Sequence, residues 1–279
     1  MNEATKENLR RKSAWVDVVQ LHDGLPLPSL IEINPTELCT RACSFCPRSD
    51  PAFYPNQPLN MSVALAQKMG DELRALRFEG GVSFCGYGEP LLHPRLEDLV
   101  TAFAGLRREI VTSGDGLTPA RIVSLAAAGM SYFVVSLYDG PAQVEDFKAR
   151  FAAAGVGAYL LRDRWHTDVD DFGLNLTNRA GSVAVGNQDE VIVSRPCGYP
   201  AYEMLVDWNG DVLLCPQDWT KKVKFGNLGM QSLLEVWTSK AMSKRRRQLM
   251  RGREGLSPCA GCNVAGDLHG GAHISAWKA

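Results

Sequence analysis

The sequence predicts an α/β protein: a partial (β/α)6-type barrel followed by a small cysteine-rich C-terminal domain. Three observations predict it. From residue 29 to about 185, short apolar segments alternate with amphipathic helical ones, the pattern of right-handed βαβ units around a parallel sheet. After residue 185 that alternation stops. Seven of the eight cysteines fall in two groups, three within residues 39–46 and four between 197 and 262.

Residues 1–28 read as a polar, partly helical lead-in ending in Leu25-Pro-Leu-Pro28. The first strand spans 30–33 and feeds the loop Cys39-Thr-Arg-Ala-Cys43-Ser-Phe-Cys46. Pro51, Pro55 and Pro58 make 49–60 a loop. Asn60 or Ser62 then caps a helix with Leu65, Met69, Leu73 and Leu76 on one face. Gly80-Gly81 ends that unit, and 82–85 is the second strand. Pro94 opens a helix with Leu96, Leu99, Val100 and Phe103 inward, before a strand at 109–112. Pro119 opens the next helix, stopped at Gly129, before a strand at 132–137. Pro141 opens another, with Val144, Phe147 and Phe151 inward and a stop near Gly155, before a strand at 157–161. A sixth strand is expected at 172–176. Active sites of such barrels lie at the C-terminal ends of the strands, where the cysteine loop also falls.

The barrel is assigned to 29–185 and the second domain to 186–265. In the latter, Glu203-Met-Leu-Val206 and Asp211-Val-Leu-Leu-Cys215 flank Asn209-Gly210, a hairpin signature. Residues 231–250 read as one helix with Leu233, Leu234 and Trp237 on one face, and Pro258-Cys-Ala-Gly-Cys262 closes the region. The glycine-rich tail 266–279 is expected to be partly mobile.

Composition narrows the function. Apolar residues make up 45% and charged residues 22%, ordinary for a soluble globular protein. A net charge of −1 provides no global field toward membrane or nucleic acid. The first eleven residues are charged and have no apolar core, so no secretory signal is expected. No apolar run reaches the roughly 18 residues of a membrane-spanning helix, and a cytoplasmic location is expected. In that setting eight cysteines argue for metal ligation over a disulfide framework.

Three thiolates on one short loop can hold three irons of a [4Fe–4S] cube and leave the fourth iron open for chemistry. A zinc site is the alternative, although C-x3-C-x2-C differs from the paired knuckles usual for zinc. Cys85-Gly86-Tyr87-Gly88-Glu89-Pro90 follows the second strand. Its glycines let backbone approach a ligand, and Glu89 offers a carboxylate to an ammonium group. Standing alone, it would be an ordinary βα turn. Cys197-x17-Cys215-x43-Cys259-x2-Cys262 supplies four thiolates, enough to close a second cube or a four-cysteine zinc site.

Taken together, the cysteine loop with Phe45 before its last cysteine and the turn Tyr87-Gly88-Glu89-Pro90 resemble the radical S-adenosylmethionine (SAM) family. Tyr87 stands where that family has the first glycine of Gly-Gly-Glu-Pro. The resemblance implies that the open iron is chelated by SAM, and that the reduced cluster cleaves SAM to a 5′-deoxyadenosyl radical that takes a hydrogen atom from substrate. It implies cluster ligands Cys39, Cys43 and Cys46, and SAM contacts from Gly86, Tyr87, Gly88 and Glu89, the last toward the methionyl amine. Ser113 in Thr112-Ser113-Gly114, Ser136 and Arg162 end later strands and are weaker candidates, Arg162 for the SAM carboxylate. An electron donor such as flavodoxin or ferredoxin is implied as partner.

The second region resembles the shortened SPASM, or twitch, domain of the same family. The resemblance rests on Cys197, the hairpin into Cys215-Pro216, Phe225-Gly-Asn-Leu228, Leu234-Glu-Val-Trp237 and Cys259-x-x-Cys262. Four cysteines imply one auxiliary [4Fe–4S] cluster on Cys197, Cys215, Cys259 and Cys262. The spacings are similar to those of 2-deoxy-scyllo-inosamine dehydrogenase-type and sugar-epimerase-type enzymes. In a dehydrogenase the auxiliary cluster takes an electron from the substrate radical; in an epimerase a cysteine returns a hydrogen atom, and Cys85 is the cysteine left for that role. A buried, merely apolar Cys85 is the commoner state of a free cysteine.

Further candidates for a base or substrate contact are Arg179, Asp218 and His93, the last equally suited to hydrogen-bonding at a helix entry. Trp208 and Trp219 read as core or cluster-shielding residues. The run Lys244-Arg-Arg-Arg247 with Arg251 and Arg253 reads as a solvated helix face, and the near-neutral charge argues against a nucleic-acid partner. The leading expectation is oxidation or epimerisation at a carbinol of a sugar or aminocyclitol. Radical modification of a ribosomally made peptide and a non-catalytic zinc scaffold are the alternatives.

Overall fold

The computed structural model describes residues 3–165, 177–184 and 191–278. The strand expected at 172–176 and the boundary at 185 lie outside these residues. Helix α1 (Glu3–Val16) and a two-stranded ribbon, β1 (Leu21–His22) and β2 (Leu25–Pro26), precede the barrel. The barrel units follow: β3 (Leu30–Ile33), α2 (Val63–Ala75), β4 (Gly81–Phe84), α3 (Leu96–Ala102), β5 (Arg107–Thr112), α4 (Pro119–Ala127), β6 (Tyr132–Leu137), α5 (Ala142–Ala154) and β7 (Tyr159–Asp163). Local chemistry sets several ends. Ser62, not Asn60, caps α2 by accepting from the Leu65 amide at 3.1 Å, and Thr118 caps α4. Such a cap is worth about 1 kcal/mol. Gly155 ends α5 in the left-handed region.

The C-terminal elements are α6 (Tyr199–Tyr202), β8 (Glu203–Val206), β9 (Asp211–Leu213), β10 (Lys224–Asn227), α7 (Leu233–Trp237), α8 (Lys240–Leu249) and α9 (Gly271–Ala276). The strands form one sheet in the order β10-β9-β8-β3-β4-β5-β6-β7. β3 to β7 are parallel, and β8 pairs parallel with β3, Leu30 opposite Glu203. β8, β9 and β10 are antiparallel. The region expected to be a separate domain therefore extends the barrel's own sheet.

Three expectations about elements are corrected. The helix over 231–250 is two helices, because Ser239 caps a new one after α7 ends at Trp237. The strand placed at 157–161 is β7, two residues later, which puts Arg162 within the strand. The tail is packed: α9 buries His273, and the Trp277 indole donates to the Ala201 carbonyl at 3.0 Å. The basic run is also not all solvated. Arg246 is buried between Trp237 and Trp277 and donates to the Pro200 carbonyl, and Arg253 is buried.

Side-chain alternation gives the sheet two unlike faces. Ile31, Ile33, Val82, Phe84, Ile110, Phe133, Val135, Met204 and Val206 join the helices in the main core. The alternate positions turn to the barrel interior and are largely polar: Glu32, Ser83, Glu109, Ser136, Arg162 and Glu203, all in strands. Helix α1 plugs the N-terminal end of this interior. Trp15 lies against Gly81, where any Cβ would fall 2.7 Å from its ring. One turn earlier, Arg11 and Lys12 reach the buried Glu109 carboxylate at 2.8 and 2.9 Å. Burial alone would raise that carboxyl, but Lys12 and Arg11 more than offset it and hold it at about 2. Burial pushes Glu32 and Glu203 up; Glu109 raises Glu32 further, and Glu32 raises Glu203.

Removing one cation from a buried pair leaves an uncompensated charge. Lys12→Met is expected to destabilise the fold by about 3 kcal/mol in chemical denaturation, and Glu109→Gln in the same chain to recover much of it. Because the folded Glu109 carboxyl is depressed from 4.5, its contribution is complete above that pH and lost as pH falls toward 2. The double variant is expected to lose less stability than wild type over that acid range.

Candidate active site

A cavity of about 230 Å³ opens at the C-terminal ends of the barrel strands. The cysteine loop after β3 forms one wall, the Cys85–Glu89 turn after β4 another, and Thr112, Ser113, Ser136 and Arg162 from β5 to β7 line it further. Cys39, Cys43, Cys46, Arg179 and Trp219 also face it.

The cysteine loop is tied to the rim by its own charged residues. The Arg41 guanidinium grips Asp115 and Asp139, which follow β5 and β6, and Phe45 stacks on Tyr138 at 5.9 Å. Asn56 exchanges two hydrogen bonds with the Cys39 backbone. Buried Arg48 donates to the Tyr87 carbonyl at 2.6 Å and to Glu37 at 3.2 Å, joining loop to turn.

The turn after β4 can take glycine alone at two places. Gly86 has φ +108° and lies against Asn34, and a Cβ on Gly88 would fall 2.0 Å from the Thr36 carbonyl oxygen. Asn34 Oδ1 accepts from the amides of Tyr87 and Gly88 at 3.0 and 3.3 Å. Glu89, expected to receive an ammonium group, lines the cavity and also anchors the turn through its oxygens. They accept from the Leu91 amide, the Thr112 hydroxyl and the Ser113 amide at 3.1, 2.5 and 2.8 Å. Burial pushes its carboxyl up against these donors. Glu89 thus staples the turn to the end of β5. Tyr87, at the family's glycine position, buries its ring edge-on against Trp219 with 4.8 Å between centroids.

Ser136 and Arg162 are register partners and bond at 2.8 Å, so two candidates from the sequence meet. Burial lowers the Arg162 pKa. Its Nε has no hydrogen-bond partner among the described residues, and neither has the Arg179 Nε. Cys85 faces the cavity beside Ser83, and burial, then the Glu32 carboxylate, push its thiol well above the usual range. Two other candidates, Asp218 and His93, do not line this cavity. The Asp218 carboxylate is spent on Thr220 and the Val223 amide. His93 is buried with Nε2 donating to the Met61 carbonyl and Nδ1 accepting from the Arg95 amide, the helix-entry role.

Cys197, Cys215 and Cys259 pack together with Leu214 and Leu249, and Cys262 is buried beside them. Arg253 organises this corner. Its guanidinium donates to the carbonyls of Pro196, Cys262, Val264 and Ala265, which flank two of the cysteines.

The sulfurs carry the surroundings of cluster ligands. Backbone amides two residues on bond the sulfurs of Cys39, Cys46, Cys197, Cys215 and Cys262. Burial and neighbouring thiolates push Cys43 up to about 12 and Cys259 to about 11, a penalty that a bound cation removes. Among the described residues no group of three or more His, Cys, Asp or Glu is drawn around a point that one metal ion could hold. The donor sets, three thiols beside an open cavity and four gathered in a buried corner, fit iron–sulfur cubes by their chemistry.

Comparison with known proteins agrees with this chemistry. The model of the radical SAM superfamily matches residues 33–151, and that of the SPASM iron-sulfur cluster-binding domain matches 197–263. The S-adenosyl-L-methionine-dependent 2-deoxy-scyllo-inosamine dehydrogenase of Niallia circulans is 30% identical over 241 residues, 84% of this chain and 92% of that protein. The chain belongs to the radical SAM superfamily. It is an oxidoreductase-type member that uses SAM and iron–sulfur clusters. Its fold is similar to the crystal structure of BtrN in complex with AdoMet and 2-DOIA, with a TM-score of 0.70 and 29% identity over 85% of this chain and 94% of that one. A PqqA peptide cyclase from Ruegeria pomeroyi is 33% identical over 117 residues, 40% of this chain and 30% of that protein.

If the two sets hold separate four-iron cubes, about eight irons per chain are expected in anaerobically reconstituted protein. Cys43→Ala and Cys259→Ala are each expected to lower that to about four by iron analysis, with different clusters lost in their spectra.

Proposed function

We propose that this chain is a radical SAM dehydrogenase that oxidises a carbinol of a small aminocyclitol or sugar. The observation that carries the reading is the match to the 2-deoxy-scyllo-inosamine dehydrogenase across 92% of its length. The cavity supports it by its chemistry: beyond the cysteine loop and the glycine turn its walls carry hydroxyls and arginines, suited to a polar ligand. The peptide reading rests on cyclases of which the chain spans about a third.

Oxidation of CH–OH to C=O removes one hydrogen atom, one proton and one electron. When bound, SAM and the cluster on Cys39, Cys43 and Cys46 supply the hydrogen-abstracting radical, and the cluster on Cys197, Cys215, Cys259 and Cys262 supplies the electron acceptor. The remaining work falls to this chain's own side chains. Arg162, braced by Ser136, is a half-buried cation suited to the carboxylate of SAM. Arg179 faces the cavity near both cysteine sets and favours the ionised form of a substrate hydroxyl. Burial, then Glu32, favour the protonated thiol of Cys85; in the dehydrogenase reading it is a wall of the site, and in an epimerase the same thiol would be the hydrogen-atom donor. Among the described residues no helix is long and apolar enough to cross a membrane. A cytoplasmic flavodoxin or ferredoxin fits as the electron donor.

Deuterium at the carbinol carbon of 2-deoxy-scyllo-inosamine is expected to appear in 5′-deoxyadenosine, with a ketone formed in equal amount. Cys85→Ala is expected to keep at least half the rate. An epimer that disappears in Cys85→Ala would overturn the dehydrogenase reading in favour of an epimerase. Turnover of a precursor peptide without turnover of the aminocyclitol would favour a maturase.

A further inference from the structure

Tyr87 departs from the family's glycine, and its side chain crosses from the turn after β4 to the segment after Cys215. Its hydroxyl lies 3.4 Å from the Cys215 carbonyl oxygen and 3.2 Å from that of Asp218, and its one hydrogen is shared between them. Those carbonyls close two successive turns. Cys215 O accepts from the Asp218 amide, and Asp218 O from the Lys221 amide. One phenol therefore pins the junction of both turns, directly beside a cysteine of the auxiliary set.

The far side of the segment is pinned as well. The Asp218 carboxylate binds Thr220 and the Val223 amide, and Lys221 joins Glu37 and Asp207 and lies 4.8 Å from the Tyr87 ring centre. Tyr87 itself is fixed at both backbone ends, its amide on Asn34 and its carbonyl on Arg48. Its ring packs edge-on with Trp219, in an apolar cluster that Cys46 of the other cysteine set also borders. Inside the first turn the Gln217 amide bonds the Cys215 sulfur. Hydrogen bonds to ligand sulfurs stabilise the reduced, more negative cluster and raise its potential.

We propose that Tyr87 is a positioning residue for the auxiliary cluster: from the SAM-side turn, its hydroxyl holds the segment after Cys215 so that the Gln217 amide stays on the ligand sulfur, keeping that cluster a competent electron acceptor. This rests on the dehydrogenase reading, in which the substrate radical gives up its electron. A glycine at position 87 provides no such clamp. The electron balance is unchanged: the hydrogen atom leaves first, then a proton and an electron, and Tyr87 affects only how readily the electron is taken.

Tyr87→Phe keeps the ring and removes only the hydroxyl. Redox titration of the reconstituted enzyme followed by EPR is expected to show the auxiliary cluster at a more negative potential than in wild type, with iron content and the SAM-side cluster unchanged. With substrate, 5′-deoxyadenosine is expected to exceed ketone at least twofold, because abstraction continues while electron uptake lags. Asp218→Asn loosens the other anchor of the same segment and is expected to shift the potential in the same direction, which keeps the test open should Tyr87→Phe lose iron. An unchanged auxiliary potential in both variants, or an equal shift of both clusters, overturns the proposal. Absence of any auxiliary-cluster signal in wild type would instead remove the dehydrogenase reading beneath it.

Discussion

Asn34 is the joint on which the site depends. It sits just past β3 with no exposed surface, and every hydrogen-bonding position of its amide is used. Its oxygen accepts from the amides of Tyr87 and Gly88 in the turn after β4. Its nitrogen donates to Glu37, in the segment leading to the cysteine loop, and to Asp207, at the end of β8. The strand before the first cysteines, the strand before the glycine turn and the first strand of the hairpin that leads to Cys215 thus converge on one side chain. That convergence is possible only because β8 lies beside β3 in the same sheet. A C-terminal domain on a flexible linker would leave the two cysteine sets free to drift, whereas a shared hydrogen-bonded sheet fixes them across one cavity.

The barrel interior adds a second constraint. Its strands carry acids and an arginine where alternation would ordinarily bury apolar residues, and α1 delivers Arg11 and Lys12 to balance Glu109. The plug and the cavity floor are therefore parts of one charged layer, with Cys85 and Arg162 on its upper side. Glu89, Arg48 and Arg253 follow the same rule. Each is a buried charge with several backbone or hydroxyl partners, and each holds a loop near one of the cysteine sets.

Much of the fold was legible because its signals are local. Ser62, Pro119 and Gly155 mark helix ends through their own backbone chemistry, and strands β3 and β6 fall at the residues that apolar runs mark. The spacing of the cysteines and the glycine turn identified both candidate cluster sites for the same reason. What the sequence did not reveal depends on distant partners. Nothing near Arg253 announces four carbonyls around the auxiliary cysteines, and Arg246 belongs to a basic run that looks solvated until Trp237 and Trp277 close over it. Glu89 matched its motif, and two of the three donors on its carboxylate come from the distant end of β5. One signal was present and unused: Glu32, Glu109 and Glu203 each stand at an alternate position within a strand, a pattern that marks a polar barrel interior.

EPR of the reduced wild-type enzyme, with and without SAM, tests the central claim most directly. That claim is two four-iron cubes on one sheet, of which only the one on Cys39, Cys43 and Cys46 has an open iron. Two overlapping reduced-cluster signals are expected, and SAM should change one and leave the other as it was. A single cluster, or two signals that both ignore SAM, would contradict it.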